Sequence, residues 1–271
     1  MYMISVVIEK EQSRVALFDK EYKLLLKKCG TKADVEALCA AVMAESGVEA
    51  SEVDYIGVAA DIAADAVAAD LQKSTGIRCL SATLMGARAL GEAYTANDVP
   101  SLFMLKVDNM VECGIVIEKK IFTGMHQLGG KIAHMVINFG GYECTCGRQG
   151  CFEAYAGVAG LKRIAAEAGV QDVETLTHAT LFGMTTPEAE CAQKTYVKYL
   201  AGGITNIINL FQPNELVLEG PFTEVGDKLM APMMDIILRE QYTHSMPNKC
   251  NVRFASGEQD TALLGAALLA R

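Results

Sequence analysis

The chain has 271 residues, 51% of them hydrophobic, and carries a formal net charge of −9. This length suffices for one large domain or two domains of about 130 residues each, with a well-buried core. The acidic balance and the lack of any run of lysines and arginines argue against nucleic acid and anionic membranes as partners.

The two ends and the cysteines indicate a cytoplasmic protein. The start, MYMISVVIEKEQ, has no basic segment followed by a long apolar stretch, so no signal peptide is predicted. The most apolar segment near the other end, TALLGAALLA, is about half as long as a bilayer span requires. The cysteines number nine, and we expect no disulfide framework in a chain of this size without a secretion signal.

The first hundred residues predict three strands followed by helices and one more strand. Apolar runs separated by short polar links predict an antiparallel meander. Apolar residues at helical spacing then predict three helices, the first of which precedes a buried strand. In chain order, these are strands at 3–9, 13–19 and 22–28, a helix at 31–46, a strand at 53–60, and helices at 61–74 and 80–96. Three strands, helix, strand, helix is the element order of one half of the actin-like ATPase fold.

The second half predicts a similar order of elements without any repeat of residues. The predicted elements are strands at 101–108, 113–120 and 121–124, helices at 152–169 and 188–211, a strand at 215–220, a helix at 225–241, a strand at 251–256 and a helix at 261–271. We therefore predict an α/β, two-lobed actin-like ATPase (ribonuclease H-like) fold. The first lobe would hold residues 1–104 plus 257–271, and the second residues 105–256.

Three cysteines lie within eight residues, in the segment ECTCGRQGCFE: Cys144, Cys146 and Cys151. Zinc takes four nitrogen or sulfur ligands at tetrahedral corners, and Gly147 and Gly150 supply the tight turns that such a loop needs. His134, ten residues before the first cysteine, is the candidate fourth ligand. The alternative to a zinc site is that the three cysteines are free thiols without a ligand role. A redox couple of Cys144 and Cys146 is less favoured, because the ring it would close is strained.

The histidine and the cysteine segment together resemble the zinc signature of the ROK family, which groups bacterial sugar kinases with sugar-responsive repressors. That signature runs GHxxxxxxGxxCxCGxxGCxE, and this chain departs from it only at Ala133, where the family has glycine. The resemblance extends over nearly the whole chain, through the segments RVALFD, EAYAG, GGITNIINLFQPNELVLEG and GEQDTALLGAALLA. It implies a sugar-kinase architecture and a homodimer formed through the second lobe.

The resemblance also assigns ligands. It implies a structural zinc ion bound by four protein side chains with no open position, namely His134, Cys144, Cys146 and Cys151. In family kinases the residues matching His134 and Glu153 contact sugar hydroxyls. Lys131 replaces a glutamate that contacts the sugar, which reverses the charge there.

Both phosphate-binding turns of a family kinase are altered. The first is a DxGGT-type turn between the first two strands, and the register of RVALFD places Val7–Glu11 there, with Glu9 and Glu11 where phosphate would lie. The second is a GTG-type turn, which aligns with Asp108–Met110, and only Gly114 remains of a glycine-rich run. Glycines let backbone amides approach phosphate oxygens, and the aspartate serves the metal ion.

The catalytic base is altered as well. Family kinases use the aspartate of an Asn-Asp pair at the start of the helix that ends in LGE, and counting back places Thr83 and Leu84 there. Leucine cannot accept a proton from a sugar hydroxyl. Asn97 and Asp98 follow that helix, and we expect them to form a surface turn.

The leading interpretation is a non-catalytic, zinc-stabilised protein that binds a sugar-like small molecule or acts as a regulator. The alternative is an active ATP- and magnesium-dependent hexose or N-acetylhexosamine kinase whose base is Asp61, Asp98 or Asp108. A repressor is disfavoured, because family repressors carry a helix-turn-helix segment before the first strand, whereas the first strand here is predicted from residue 3.

Overall fold

The structure, a computed structural model, describes residues 1–124, 129–242, 249–257 and 260–271. Within these ranges the strands are β1 Tyr2–Glu9, β2 Gln12–Phe18, β3 Leu24–Thr31, β4 Val53–Ala60, β5 Cys79–Thr83, β6 Leu102–Val107, β7 Val111–Ile117, β8 Lys120–Ile121, β9 Glu215–Glu219 and β10 Asn251–Phe254. The α-helices are α1 Val35–Ser46, α2 Ala64–Thr75, α3 Leu84–Thr95, α4 Glu153–Ala156, α5 Val158–Glu167, α6 His178–Gly183, α7 Pro187–Phe211, α8 Asp227–Glu240 and α9 Thr261–Ala267.

The chain divides into two compact units. The first comprises Met1–Phe103, Gly114–Gln127 and Ser256–Arg271, and the second Met104–Cys113 and Leu128–Ala255. These units differ from the sequence-based lobes in placing residues 114–124 and Ser256 with the first unit and Met104 with the second, and the lobe boundaries stay a prediction. Glu258 and Gln259, which belong to the first predicted lobe, lie outside the described residues.

The first sheet has the strand order β3-β2-β1-β4-β5. Strands β1, β2 and β3 pair antiparallel, which confirms the predicted meander, and β4 pairs parallel with both β1 and β5. Side chains alternate between the faces of β1, so Ile4 and Val6 join a core with α1 and α2, whereas Met3 and Val7 join a core with α3 and α9. Strand β1, at the centre of the sheet, is therefore buried on both faces.

The predicted helix over residues 80–96 is wrong at its beginning. Residues Cys79–Thr83 form β5, and α3 begins only at Leu84. The Thr83 hydroxyl accepts a hydrogen bond from the Gly86 N–H at 3.1 Å, which is the N-cap that starts the helix. This strand exists because it pairs with β4, and such a partner cannot be read from local propensity.

The second sheet has the strand order β10-β9-β6-β7-β8. The predicted helix over residues 152–169 is interrupted at Gly157, whose extended backbone separates α4 from α5. Helix α6 is a further correction, since no helix was predicted there, and it begins with a capping box between Thr177 and Thr180. No helix among the described residues is long and apolar enough to cross a membrane.

Helix α7 forms the core of the second unit and supports the cysteine segment. It begins at Pro187 with Thr186 as N-cap, and it buries Tyr196, Leu200 and Ile204 along one face. Gly203, also buried on α7, lies directly against the ring of Phe152, the residue that follows Cys151. The close approach of helix and ring therefore depends on the missing side chain at Gly203.

We expect Gly203→Ala to lower the free energy of unfolding by about 1–3 kcal/mol, because its Cβ would lie 2.2 Å from Phe152 Cε2 in a packed core. Gly202→Ala is the matched control. Its Cβ meets no atom within 4 Å outside its own helix, so replacing a helical glycine there should stabilise by up to about 1 kcal/mol. Urea denaturation followed by circular dichroism measures both, and equal effects would contradict this account of the packing.

Candidate metal centre

The four predicted zinc ligands lie together in the second unit. The ligand atoms of His134, Cys144, Cys146 and Cys151 are all within 4.8 Å of one another. The His134 Nδ1 lies 3.6 Å from Cys144 Sγ, and Cys146 Sγ lies 3.7 Å from Cys151 Sγ. Among the described residues, this is the one group of three or more His, Cys, Asp or Glu side chains close enough to hold a metal ion.

A closed loop brings the ligands together. The Cys144 N–H donates to the Arg148 carbonyl at 2.8 Å, which makes a tight turn with Gly147 at φ +82°. Gly150 has φ +78°, and a Cβ there would lie 1.8 Å from the Asn138 carbonyl oxygen. Both glycines are thus needed at the turns for which the sequence suggested them. A bridge between Val136 and Cys151 closes the segment that follows His134.

The donor set fits zinc. Tetrahedral zinc with Zn–S bonds of about 2.3 Å separates its sulfur ligands by about 3.8 Å, close to the Cys146–Cys151 spacing of 3.7 Å. A hydrogen bond from the Arg148 N–H lowers the pKa of the Cys146 thiol, whereas burial raises the pKa of Cys151 to about 12. Because burial opposes ionisation of Cys151, a bound cation is what would stabilise its thiolate.

Glu153, a predicted sugar contact, begins α4 and connects the cysteine loop to β7. Its Oε2 accepts from the Val111 N–H at 3.0 Å, and its Oε1 accepts from the Thr145 hydroxyl at 3.0 Å. Lys131 is exposed immediately before the short 3₁₀ turn Ile132–His134. No sequence pattern identified Thr145 or Val111: Val111 meets a residue 42 positions away, and Thr145, eight positions from Glu153, carries no motif of its own.

The first turn that aligns with a phosphate loop is closed. Glu9 pairs with Gln12 across a two-residue hairpin turn, in which Lys10 takes a φ of 56°. The Glu9 carboxylate lies 3.2 Å from an Arg88 guanidinium nitrogen and 3.6 Å from one of Arg14. The position that the alignment assigns to phosphate therefore holds a carboxylate already paired with two arginines, neither of which was identified from sequence.

The second turn is also closed. The Asp108 N–H donates to the Met110 carbonyl at 3.0 Å, and the next strand's first amide, that of Val111, donates to Glu153. Met110 is 63% exposed. Two of the amides that a glycine-rich turn could direct at phosphate are thus used within the protein.

The position predicted for the catalytic base lies in the core. Leu84 is the first residue of α3, is 3% exposed and belongs to the cluster that contains Val7 and Leu263. The alternatives Asp61 and Asp108 are exposed, in the loop after β4 and in the turn after β6.

Asp98, the third alternative, is held between two cations. Its carboxylate is hydrogen-bonded to Lys119 and to Arg271, with Arg271 Nη2 at 2.6 Å from Oδ2. The hydrogen bonds from Arg271, with those from Lys119, lower the pKa of Asp98 to about 2. A carboxylate with so low a pKa is a poor general base, and Asp98 therefore acts as an ion-pair partner in the turn predicted for it.

Comparison with known proteins identifies the family. A family model described as the ROK family matches residues 27–271. The xylose repressor of Bacillus spizizenii is 27% identical over 143 residues, which are 51% of this chain and 35% of the repressor. The glucokinase of Halalkalibacterium halodurans is 28% identical over 162 residues, which are 54% of this chain and 49% of that protein. The chain thus spans about half or less of the length of these relatives.

Among solved structures, a ROK hexokinase from Thermus thermophilus superposes with a TM-score of 0.84 at 21% identity, covering 99% of this chain and 97% of that one. This likeness confirms the predicted actin-like ATPase fold.

We expect purified protein to contain about one zinc ion per chain, and Cys146→Ser to release it and destabilise the second unit, because structural zinc binding is coupled to folding. Elemental analysis and thermal denaturation measure the two effects. Cys191→Ser, an exposed cysteine of α7 outside the cluster, is the control and should change neither. Metal-free protein whose cluster thiols all react freely would refute the site.

Asp98→Asn should lower the free energy of unfolding at pH 7 by about 1 kcal/mol, the range of partly exposed ion pairs. The folded-state pKa of about 2 lies below the ordinary value of about 3.9, so the ion pairs stabilise above pH 4 and their contribution is lost as the pH falls towards 2. Unfolding titrations across this range should therefore show the variant and the parent converging. Asp70→Asn, which removes an exposed carboxylate of α2, is the control. A difference in unfolding free energy between Asp98→Asn and the parent that stays constant at every pH would contradict the ion-pair role of Asp98.

Proposed function

Because the chain belongs to the ROK family, we propose that this sugar-kinase-like protein binds a sugar-like small molecule and acts as a non-catalytic, regulatory protein rather than an efficient kinase. The observation that carries the proposal is the closure of both phosphate-aligned turns by internal hydrogen bonds and ion pairs. The buried Leu84 at the position of the base supports it independently.

Binding of a nucleotide phosphate at the first turn would be energetically costly. Placing a triphosphate beside Glu9 would require breaking its pairs with Arg14 and Arg88, or placing like charges together. Without a positioned base, the transfer step loses a further factor of about 10²–10⁴. The two effects act on different steps, on binding of the nucleotide and on the chemistry itself.

Two of the family's sugar-contacting residues are kept in this chain, as His134 and Glu153. His134 directs Nδ1 towards the cysteine sulfurs, which leaves Nε2 to bond a hydroxyl. The Glu153 Oε1 accepts from the Thr145 hydroxyl and the Cys144 thiol, whereas Oε2 accepts from the Val111 N–H and has a lone pair left for a hydroxyl donor. Zinc, when bound, would hold His134 and the Cys144 loop in place without taking part in any reaction, since four protein ligands leave no open position. Lys131, in place of the family's glutamate, alters which polyol is preferred. The homodimer stays a prediction from the family.

The alternative, an active hexose or N-acetylhexosamine kinase using ATP and magnesium, is favoured by the likeness to a glucokinase and a hexokinase. It requires Asp61 or Asp108 to act as the base and the two closed turns to open. The two proposals differ in whether ATP binds at all.

We expect no heat of binding for ATP with magnesium in titration calorimetry, and no phosphorylation of glucose, N-acetylglucosamine or N-acetylmannosamine in a coupled assay. Binding of one of these sugars without nucleotide should be weakened about tenfold by Glu153→Gln, which replaces a charged acceptor. Glu143→Gln, an exposed carboxylate of the same loop, is the control. Micromolar ATP affinity with a turnover of about 1 per second would establish the kinase instead.

A further inference from the structure

We propose that a basic pocket of the first unit binds a small organic dianion, a phosphate monoester or a dicarboxylate. The pocket has a volume of about 600 Å³ and lies between β5, α3, the turn joining β7 to β8, and the residues after α9. We call it the edge pocket, because β5 is the last strand of its sheet. All of its lining residues belong to the first unit, whereas the His/Cys cluster lies in the second.

The floor of the edge pocket is apolar. It is formed by Leu80 of β5, Leu90 of α3, and Leu268 and Leu269 after α9. Leu80 packs with the core on the α3 and α9 side of the sheet. Ser81 points to the opposite face, where its hydroxyl bonds Asp65 of α2, so this acidic residue lies across the sheet from the pocket.

The rim of the edge pocket is cationic. Of its fourteen lining residues, four are basic and none is Asp or Glu, although the chain as a whole carries 33 acidic against 24 basic residues. The four are Arg78, Lys119, Lys120 and Arg271. This concentration of one charge sign runs against the composition of the chain, and it costs repulsion unless an anion offsets it.

Two of the four cations already converge on one carboxylate. Lys119 and Arg271 both bond the same oxygen of Asp98, which is not among the lining residues. The Lys119 backbone is fixed as well, because its N–H donates to the Pro100 carbonyl at 2.9 Å. This arrangement demonstrates that an anionic oxygen can approach the rim, and Asp98 neutralises one of its positive charges.

Arg78 and Lys120 carry two further positive charges of the rim, which Asp98 does not neutralise. Within the described part of the chain, their side chains form no hydrogen bond or ion pair, and both residues are exposed. Lys119 and Arg271 together carry one positive charge more than Asp98 neutralises. Added to the charges of Arg78 and Lys120, this leaves the rim with more than one positive charge. A dianionic head group matches this surplus, and arginine bonds phosphate or carboxylate oxygens in pairs.

The volume of the edge pocket and its apolar floor define the part of the ligand that carries the dianionic head group. Sites for small molecules typically have volumes of about 300–1,000 Å³, and the edge pocket falls in this range. The leucines offer contact to an apolar or ring-shaped body attached to the head group. The predicted ligand is therefore a small molecule with a dianionic head and a compact body.

The test uses phenyl phosphate and malonate as probes, in calorimetry at constant ionic strength on the full chain. We expect saturable binding of at least one probe, and the comparison distinguishes phosphate from dicarboxylate chemistry. Arg78→Ala and Lys120→Ala should each weaken binding about tenfold, and together about a hundredfold, as expected for loss of charge-assisted hydrogen bonds. Lys20→Ala, an exposed lysine outside the pocket, should leave the affinity unchanged.

Absence of saturable binding of both probes at millimolar concentration would overturn the proposal, and so would binding that the double variant retains. Because the substituted side chains are exposed and unpaired in the described structure, circular dichroism should show unchanged folding. Neither probe contains a sugar, so the outcome is separate from that of the sugar-binding experiments.

Discussion

The second unit depends on the convergence of one imidazole nitrogen and three sulfurs within 4.8 Å. Side chains with such spacing cannot all ionise without a compensating charge, and protonated thiols alone give weak hydrogen bonds. The surrounding backbone is built to maintain this convergence: two left-handed glycines turn the loop, and α7 approaches Phe152 at Gly203, which has no side chain. The loop then reaches β7 through the Glu153 carboxylate. A metal ion at this point would hold together the loop that contacts α7 through Phe152 and β7 through Glu153.

The two turns that the alignment matches to phosphate loops, one in each unit, illustrate a different constraint. Polar groups that a kinase would direct towards its nucleotide are satisfied here by the protein itself: Glu9 by two arginines, the Asp108 amide by a neighbouring carbonyl, and the Val111 amide by a carboxylate. Buried or partly buried donors and acceptors are costly when unpaired, so these internal partners stabilise the protein without any ligand. These internal pairs therefore support the fold whether or not a ligand binds.

Much of the fold and the cysteine cluster could be predicted from sequence, because those features are encoded over short distances. The meander strands carry their own apolar patterns, and the four metal-ligand candidates lie within eighteen residues of one another. Two errors were local, the break at Gly157 and the unpredicted helix α6, and the other misses concern long-range partners. Strand β5 depends on pairing with β4, the Glu9–Arg88 pair spans 79 residues, and the Asp98–Arg271 pair spans 173. No local pattern identifies which distant charge a side chain will meet.

The two-residue turn between β1 and β2 has a consequence for how this chain could change over time. Glu9 and Gln12 are paired in the strand register, so the turn contains only Lys10 and Glu11. Replacing these two residues with glycine would alter their flexibility but would not lengthen the turn, and a loop that wraps a phosphate needs several consecutive free amides. A phosphate-wrapping loop at this position would require inserted residues as well as substitutions. Because the turn lies at the end of a hairpin, such an insertion could leave the strand pairing intact, which makes this position the natural place to engineer nucleotide binding into the scaffold.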